Sequence, residues 1–508
     1  MRQRSPAVIE IRKGLARSSA GSHLAAMSPS PAYRPDPRFQ TLGRDFADPV
    51  EAADFPETIL RFRNDRAAAT VGLEGLSDAD WLRHFGRFEP LPDNQPIPLA
   101  MRYHGHQFRV YNPNLGDGRG FLFAQLREQG SNRLLDLATK GSGQTPWSRA
   151  GDGRLTLKGG MREILAASML EALGVPTSRA FSLVETGEAL TRGDEPSPTR
   201  SAVLTRLSHS HIRFGTFQRL AYFDQRDLIT VLVDHVVETY FPHLADVADR
   251  PAALMEATVA ASAGLLSRWM AAGFVHGVLN TDNMVVTGES FDYGPWRFLP
   301  RNDPNFTAAY FDHQGLYSFG RQPETVFWNL QQLAACLTLV TGQERLLAAL
   351  NGFSDAYRLA LRGAILDRLG VKSRGSDDDV ELVNAAFRAL AEGGEGLRWE
   401  PFFFDWFGGE ASTGRAMDGP RAGLYRTETF EAFRAKLAAF EPDRPERLAD
   451  PVFQRPEPEE LLIDEVEALW APIAAEDDWG PLYAKLDRIE AARAAYALGV
   501  DGAKNAAP

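Results

Sequence analysis

The stretch His276-Gly277-Val278-Leu279-Asn280-Thr281-Asp282-Asn283, followed by Asp292-Tyr293-Gly294, decides how this 508-residue chain is interpreted. It brings an imidazole, two amides and two carboxylates close together in the chain. Asn and Asp side chains bond to nearby backbone in turns, so a turn between a helix and a strand is the plainest interpretation. The same side chains also carry oxygen atoms that suit a hard cation. The spacing of the residues distinguishes between these two interpretations.

Kinase-like phosphotransferases carry a His-x-Asp-x4-Asn loop and a later Asp-Phe-Gly. The first Asp is the catalytic base, and the Asn and the later Asp bind metal. His276 and Asn283 keep this frame, and Asp292 opens an Asp-Tyr-Gly. The base position holds Val278, which cannot accept a proton, and an acid stands instead at Asp282. The pattern therefore predicts a kinase-like nucleotide site with an altered base.

A glycine-rich segment, Leu115-Gly116-Asp117-Gly118-Arg119-Gly120, lies upstream between two predicted strands. Glycines at alternate positions let backbone N–H groups approach a phosphate closely. Arg119 adds a planar, permanently charged donor. A β-turn would give the same letters, so this segment gains its meaning from its place before the other motifs.

Lys140 and Glu163 continue the kinase order. Lys140 ends a predicted strand and Glu163 lies on the next predicted helix, 23 residues later. In kinase-like folds a strand lysine holds phosphates and pairs with a helix glutamate. Further along, Arg206 and Arg213 suit either a clamp on a phosphate chain or salt bridges between the two halves of the chain. The two histidines between these arginines are predicted to be structural, because no cysteine or third clustered histidine supports a metal site.

The composition excludes several classes of function. The 55 basic and 67 acidic residues give a net charge of −12, unlike a nonspecific nucleic-acid or membrane-surface binder. No run of about 18 apolar residues predicts a membrane span. The one cysteine, Cys336, excludes an internal disulfide and is predicted to be a small core residue. We expect no nucleic-acid or membrane partner and a reducing, cytoplasmic location.

Residues 1–26 carry five basic residues against one acid. This composition leaves a transit peptide, and a mitochondrial matrix location, as the alternative. No apolar stretch follows, which favours a disordered leader or a true start at Met27.

The periodicity of apolar residues changes near residue 225. Before it, short runs predict strands, with helices at 77–86 and 158–173; after it, long helical periods dominate. The strands are predicted at 121–126, 134–140, 179–185 and 201–207. The acidic run Asp377–Asp379 is predicted to be a solvated loop. Composition divides the chain into an irregular extension (1–57), a β-rich part (58–220), a helical part (221–440) and a C-terminal part (441–508). The C-terminal part consists of a linker (441–458) and two tail helices.

These residues together resemble the selenoprotein O family of pseudokinase-fold protein adenylyltransferases. The resemblance runs from about Tyr103 to Asp312, with weaker support to about residue 440. It implies an α+β, bilobal protein-kinase-like fold with a β-rich N-lobe, a helical C-lobe and a helical C-terminal tail. Its signatures are Gly105-His106-Gln107-Phe108, the Gly116–Gly120 loop, Lys140-Gly141-Ser142-Gly143-Gln144-Thr145-Pro146-Trp147-Ser148-Arg149, Asp152-Gly153-Arg154, Arg213-Phe214-Gly215 and Asn280-Thr281-Asp282-Asn283-Met284.

The resemblance implies a reaction. The family binds ATP flipped relative to kinases, so that the α-phosphorus faces the acceptor and AMP moves onto a Ser, Thr or Tyr hydroxyl of a protein. ATP is then the co-substrate, Mg²⁺ or Mn²⁺ the cofactor, and proteins the partners. The resemblance implies that the nucleotide is contacted by Gly116, Gly118, Arg119, Asp152 and Gly153, and that its phosphates are bound by Lys140, Arg206 and Arg213. Glu163 would pair with Lys140. Asn283 and Asp292 would bind the metal beside the nucleotide, and Asp282 would accept the proton.

The chain departs from the family at two points. Many members end in a tail with selenocysteine or cysteine, and none stands after residue 440 here. Arg109 occupies a position where glycine is expected. Two other functions stay open from the residues: a kinase that uses Asp282 as its base, and a non-catalytic ATP-binding scaffold, which Val278 would suit.

Overall fold

The computed structural model describes residues 30–498. The basic segment 1–26, and with it the transit-peptide alternative, lies outside these residues. Between residues 30 and 498, no helix is both long and apolar enough to cross a bilayer.

The β-structure lies mainly in the first half of the chain. An antiparallel sheet has the strand order β1-β3-β6-β7-β10-β9-β2, and β8 also pairs with β10; β4–β5 and β11–β12 form two separate hairpin-like pairs. The strands are β1 (Ala47–Pro49), β2 (Ile59–Arg63), β3 (Leu99–Met101), β4 (Gly105–Gln107), β5 (Val110–Asn112), β6 (Leu122–Arg127), β7 (Leu134–Lys140), β8 (Leu155–Thr156), β9 (Arg179–Leu190), β10 (Thr199–Ser208), β11 (Phe274–Val275) and β12 (Arg297–Phe298).

Helices dominate after residue 214, in agreement with the change of periodicity near residue 225. The helices are α1 (Asp65–Ala69), α2 (Asp78–Phe85), α3 (Leu157–Ala172), α4 (Phe214–Tyr222), α5 (Arg226–Tyr240), α6 (Arg250–Ala271), α7 (Gln322–Leu337), α8 (Gln343–Asn351), α9 (Phe353–Leu369), α10 (Ser376–Glu392), α11 (Trp399–Trp406), α12 (Thr413–Asp418), α13 (Glu428–Leu437), α14 (Ile463–Glu476) and α15 (Gly480–Tyr496). The structure is thus mixed α and β, with an antiparallel sheet and many helices.

The central strands are buried on both faces. In β7, Leu134 packs into the main core with α3 and the helical half, whereas Leu135 and Leu137 pack into a second core. That second core includes Trp81 and Phe85 of α2. Because successive side chains of a strand point to opposite faces, a strand between two cores is apolar at nearly every position.

The helix α3 begins and ends where the sequence predicts. The side chain of Thr156 accepts a hydrogen bond from Gly159 N at 3.1 Å, which satisfies an unpaired N–H of the first turn. Gly174, with φ of +75°, follows the last turn. The same helix lies against β9 and β10 on one side and against α15 on the other.

The predicted solvated loop at Asp377–Asp379 is wrong. These residues form the first turn of α10, and Asp379 is buried, accepting from Ser373 Oγ and from Arg374 N. Carboxylates at a helix N-terminus are favoured by the unpaired N–H groups and the helix dipole. The acidic run therefore forms the start of a helix, whereas its charge alone had indicated a loop.

Residues 441–458 contain two short 3-10 turns before the tail helices. Val452 and Phe453 of this segment are buried, and the Phe453 and Phe407 rings stack at 4.8 Å. The following helices α14 and α15 contribute Val466 and Leu482 to the main core. The C-terminal part of the chain is therefore packed onto the body.

Candidate active site

A buried charge cluster lies where β7, β10 and α3 meet. Lys140 Nζ donates to Glu163 Oε1, and to Asp292 Oδ1 at 2.5 Å. One guanidinium nitrogen of Arg206 lies 3.2 Å from Asp292 Oδ1 and 3.7 Å from Glu163 Oε2. Four of the residues predicted from the sequence are thus brought together.

The sheet register explains this meeting. Lys140 lies opposite Leu204 in the β7–β10 ladder, and Arg206 lies opposite Ala138. Because side chains alternate between faces, Lys140 and Arg206 are diagonal neighbours on the same face. The helix α3 packs against β10 and supplies Glu163, which is buried.

The charges in the cluster set the ionisation of Asp292. Burial alone would raise the pKa of its carboxyl group, but the charges of Lys140, Arg206 and Arg119 hold that pKa well below the ordinary value. Asp292 is therefore a carboxylate at every physiological pH. Its backbone φ of +62° is in the left-handed region, a strained conformation of the kind that clusters at functional sites.

Arg213 lies beside the glycine-rich loop, at the residue before α4. Its guanidinium pairs with Asp117 at 3.2 Å and lies over the rings of Tyr103, at 4.3 Å, and Phe291, at 5.2 Å. The arginine is only 5% exposed. A desolvated guanidinium with a carboxylate partner is well suited to exchange that partner for a phosphate.

The glycine-rich loop is fixed to the segment that follows β7. Thr145 Oγ1 donates to the carbonyl of Asp117, and Ser148 Oγ to the carbonyl of Gly118, both at 2.5 Å. These bonds hold two carbonyl groups of the loop in fixed positions, and the N–H of Asp117 donates to the Met101 carbonyl at 3.0 Å.

Glycine is required in this loop by close packing. A methyl group on Gly116 would lie 2.3 Å from the Trp147 ring, and one on Gly118 would lie 2.9 Å from the Trp147 carbonyl oxygen. Arg119 lies between these two glycines and β6. Its side chain is exposed, and its charge contributes to the low pKa of Asp292. The loop thus places an exposed cation beside the cluster.

Asp152 and Gly153 lie in a neighbouring turn. Asp152 is bonded by the two terminal guanidinium nitrogens of Arg192, at 2.7 and 3.1 Å, and borders an open recess of about 450 Å³. Gly153 has φ of +71°, and a methyl group there would lie 2.3 Å from Gly143. In the described part of the chain no hydrogen bond joins this turn to Lys140, so its nucleotide contact stays a prediction.

Asp282 differs from Asp292 in its surroundings. Its Oδ1 atom is buried and has no hydrogen-bond partner among the described residues. Burial raises the pKa of Asp282 to about 7, and the charge of Asp292 also raises it, against the opposing charges of Arg213 and Arg149. A carboxyl group with a pKa near neutrality can accept a proton and release it again.

Asn283 is oriented for binding through its oxygen. Its Nδ2 donates to the carbonyl of Val278 at 2.8 Å, which leaves Oδ1 as the free acceptor. His276 braces the same loop, with its Nε2 3.1 Å from the carbonyl oxygen of Phe291. The histidine of the motif thus has a structural role.

The donor set fits a hard divalent cation. Asn283 and Asp292 offer an amide oxygen and a carboxylate, the ligands that such ions prefer. Within residues 30–498 no group of three or more His, Cys, Asp or Glu is arranged around a common metal position. Two side-chain ligands suit a cation that nucleotide phosphates also coordinate, as is usual for Mg²⁺.

Motif matching missed three residues that shape the site. Asp117 pairs with Arg213, and the rings of Tyr103 and Phe291 enclose the Arg213 guanidinium. Asp117 lies inside the glycine-rich segment, so the sequence does show a carboxylate at this position. The two rings carry no signal in the sequence, because aromatic residues beside a motif are usually core.

A model of the family described as protein adenylyltransferase SelO matches residues 32–490. The chain belongs to this family. A SelO-family relative from Gloeobacter violaceus, named protein nucleotidyltransferase YdiU, is 45% identical over 477 residues, which cover 91% of this chain and 95% of its own. A relative of the same name from Synechococcus elongatus is 43% identical over 488 residues, covering 89% and 94%. One from Vibrio cholerae is 38% identical over 355 residues, covering 70% and 71%.

The family recognised from the motifs is therefore confirmed, and the chain is a protein nucleotidyltransferase. This activity implies a nucleotide substrate, protein targets and a divalent metal. Cys336 and His211 are buried, as expected for the structural roles that the sequence predicts for them. Cys336 is buried in the core, and the histidine at 211 is buried against Asp136. Arg109 has φ of +62°, which explains why glycine is expected at that position.

Proposed function

We propose that this chain transfers AMP from ATP, with Mg²⁺ or Mn²⁺, to Ser, Thr or Tyr hydroxyl groups of proteins and releases pyrophosphate. The observation that carries the proposal is the pair of unlike carboxyl groups beside one cluster of cations. Asp292 is held ionised by Lys140 and Arg206, whereas the Oδ1 atom of Asp282 is buried with no partner among the described residues, and burial raises the pKa of this carboxyl group to about 7. Two carboxyl groups whose environments separate their pKa values suit a metal ligand and a proton acceptor.

The fold proposed with this function is the bilobal, protein-kinase-like one. The N-lobe (58–220) supplies the sheet, the glycine-rich loop and α3, and the helical C-lobe (221–440) supplies the loop with Asp282 and Asn283. The irregular extension (1–57) and the linker with its helical tail (441–508) flank the lobes. The buried Lys140–Glu163 pair, joined to an aspartate of the helical half, supports this arrangement.

In the proposed reaction the basic side chains hold the triphosphate. Lys140, Arg206 and Arg213 bind phosphate oxygens, and Glu163 keeps Lys140 in place. The acceptor hydroxyl gives its proton to the Asp282 carboxylate while its oxygen attacks the α-phosphorus, and the bond from that phosphorus to pyrophosphate breaks. Asn283 and Asp292 would hold the divalent cation, which supplies charge neutralisation for the phosphates when bound.

Placement and charge supply most of the catalysis in phosphoryl chemistry, because the protein forms few bonds to the reacting group. The enclosed position of Arg213 and Lys140 strengthens their interaction with a phosphate, since water no longer competes. A well-placed base adds about 10²–10⁴-fold. The role of Asp282 is thus a necessary but limited part of the rate.

ATP labelled separately at the α- and γ-phosphorus tests the proposal. With Mg²⁺ and a generic protein acceptor, we expect the α label on protein and pyrophosphate in solution. Transfer of the γ label would instead identify a kinase that uses Asp282 as its base. Nucleotide binding without transfer of either label would identify a scaffold.

Val278→Asp sharpens this test, because it restores the acid that kinases carry at that position. If the nucleotide is flipped, the γ-phosphate is held away from the acceptor, and attack needs contact at roughly 3–3.5 Å. The variant should therefore add the mass of AMP or nothing. A phosphate-sized increment in the variant, seen by mass spectrometry, would overturn the flipped geometry.

A further inference from the structure

A buried glutamine, Gln218, lies at the point where α4, β4 and the loop of Asp282 meet. Its side chain is 3% exposed and makes two hydrogen bonds to different parts of the chain. Gln218 Nε2 donates to His106 Nδ1 at 2.7 Å, and Gln218 Oε1 accepts from Thr281 Oγ1 at 2.7 Å. None of the roles assigned to the reaction uses this residue.

Thr281 closes the network into a ring. Its hydroxyl donates to Gln218 and accepts from the backbone N–H of His106 at 2.7 Å. Burial lowers the pKa of His106, so its ring is neutral and Nδ1 can accept the amide proton. Three hydrogen bonds thus join Gln218, Thr281 and His106 in a closed ring, and such a network fixes its members in one arrangement.

The ring holds the position of the residue next to it in the chain. Thr281, Asp282 and Asn283 form one 3-10 turn, so the backbone of Asp282 is fixed where Thr281 is fixed. On the other side, Gly105 precedes His106, and a methyl group on Gly105 would lie 2.8 Å from Asp282 Oδ1. The strand β4 therefore forms the surface against which the Asp282 carboxyl group lies.

The helix α4 connects this ring to the phosphate side of the site. Arg213 is the residue before its first turn, and Gln218 lies five residues later on the same rigid element. The backbone of Gly215 is held against His104, whose N–H donates to the Gly215 carbonyl at 3.0 Å. One short helix thus carries both the arginine proposed to bind phosphate and the glutamine that anchors the base loop.

We propose that Gln218 is a positioning residue that acts through Thr281 to hold Asp282 in line with the phosphates bound by Arg213. The inference rests on the proposed function of Asp282 as proton acceptor. A base displaced by about 1 Å can lose a factor of about 10² in rate. Loss of the ring should accordingly lower kcat and leave ATP affinity unchanged.

Thr281→Val and Thr281→Ser form the first test. Valine keeps the shape of threonine without the hydroxyl, whereas serine keeps the hydroxyl. We expect Thr281→Val to lower kcat for AMP transfer at least tenfold, with the KM for ATP changed less than twofold, and Thr281→Ser to retain kcat within threefold. Equal kcat values in the two variants, or a loss confined to ATP binding, would overturn the proposal.

Gln218→Met is the second test, because methionine fills a similar volume and removes both hydrogen bonds. Gln95→Met is the matched control: Gln95 is 2% exposed and donates to the Leu122 carbonyl at 2.7 Å, outside the base loop. We expect both variants to melt at lower temperature, and only Gln218→Met to lose kcat at least tenfold. Equal loss of kcat in both variants would mean a general structural role.

Combination with Asp282→Asn separates positioning from general damage. If Gln218 acts through Asp282, the double variant should transfer AMP no more slowly than Asp282→Asn alone. A further tenfold loss in the double variant would overturn the proposal. The proposed function fails separately, because wild-type enzyme would then transfer no α label in the same assay.

Discussion

Asp282 and Asp292 show how the same side chain acquires two chemistries ten residues apart. Asp292 is surrounded by Lys140 and Arg206, so its negative charge is stabilised. The Oδ1 atom of Asp282 is buried and has no partner between residues 30 and 498, so burial disfavours the charge and raises the pKa of this carboxyl group to about 7. Their roles in the proposed reaction follow from these surroundings.

Asp282→Asn tests the proposed proton acceptor. The amide has nearly the same size and cannot take up a proton, so kcat for AMP transfer should fall about 10²–10⁴-fold. Binding of ATP, measured by calorimetry, should change less than threefold, since the phosphates are held by other residues. Full activity of a folded Asp282→Asn enzyme would rule out this residue as the base.

Asn283→Ala tests the proposed metal ligand. The variant removes an oxygen donor that the bond to Val278 orients, so AMP transfer should become undetectable. EDTA should have the same effect on the wild-type enzyme, and added Mg²⁺ should reverse it. The control is Asn351→Ala, an exposed asparagine at the end of α8, which should retain wild-type activity. Transfer that persists in Asn283→Ala or with EDTA would contradict the metal assignment.

At the scale of elements, the end of β10 is tied to the segment that leads to Asp292. Glu289 accepts a hydrogen bond from His209 N at 2.7 Å. Burial raises the pKa of Glu289 to about 7, although this bond and the charges of Arg133 and Arg179 lower it. The folded protein therefore binds the Glu289 proton more tightly than the unfolded chain does.

Glu289→Gln should change how stability depends on pH. For a carboxyl group whose pKa is raised on folding, the free energy of unfolding falls as pH rises from about 4.5 to about 7 and is level above that. Glutamine cannot ionise and still accepts from His209 N–H. The variant should thus gain stability relative to wild type between pH 5 and pH 8, by about 1–3 kcal/mol.

Urea unfolding at pH 5 and pH 8 measures this difference. Burial lowers the pKa of His209 and His235 to about 4 in the folded protein, so these histidines take up protons in this range only when the chain unfolds, but they are common to both proteins and cancel in the comparison. A difference in unfolding free energy that is the same at both pH values would show that Glu289 does not change its ionisation on folding.

The elements that the sequence predicted are those whose signals are local. The strand at 134–140 and the helix with its Thr156 cap and Gly174 end follow from periodicity and end signals. The strand β9 continues to Leu190, past the predicted end at 185, because pairing with β10 extends a segment whose own letters suggest a turn. The prediction of a loop at Asp377–Asp379 failed for a related reason, because a run of acidic residues does not distinguish the start of a helix from a loop.

The residues of the site also separate into those that local sequence signals identify and those that depend on contacts between distant segments. Lys140, Glu163 and Asp292 stand in known motifs, and the structure brings them together as predicted. Gln218 lies in none of the motifs, and Thr281 lies in one without a role assigned to it, because their importance arises from a three-way meeting of β4, α4 and the base loop. Such a contact between distant parts of the chain has no signature in local sequence.

At the scale of the whole molecule, the tail helices are part of the main core. The helix α15 packs on α3, which carries Glu163. Lys485 of α15 is 1% exposed and bonds to Glu459 Oε1 at 2.5 Å, to the Glu460 carbonyl at 2.5 Å and to Glu465 Oε1 at 2.8 Å. We therefore expect the tail and the body to unfold together.

Lys485→Met tests this expectation. Methionine fills the space of the lysine stem but leaves Glu459, which is 9% exposed at its side chain, with only Arg488, itself 44% exposed at its side chain, as a cation partner among the described residues. Removal of one partner from a buried ion pair costs about 3–5 kcal/mol, and about 2–4 is expected here because Glu465 is partly solvated. The loss should appear as a lower midpoint of the whole unfolding transition.

Lys436→Met is the matched control, because Lys436 pairs with Glu381 where both side chains are more than half exposed. Solvent already stabilises these charges, so the melting temperature should not change measurably. Thermal unfolding followed by circular dichroism, together with AMP transfer after heating, compares the two variants with wild type. If Lys485→Met gives an early separate transition, after which transfer survives, the tail folds apart from the body. A single lowered transition that abolishes transfer shows that the tail stabilises the helix that carries Glu163, and with it the nucleotide site.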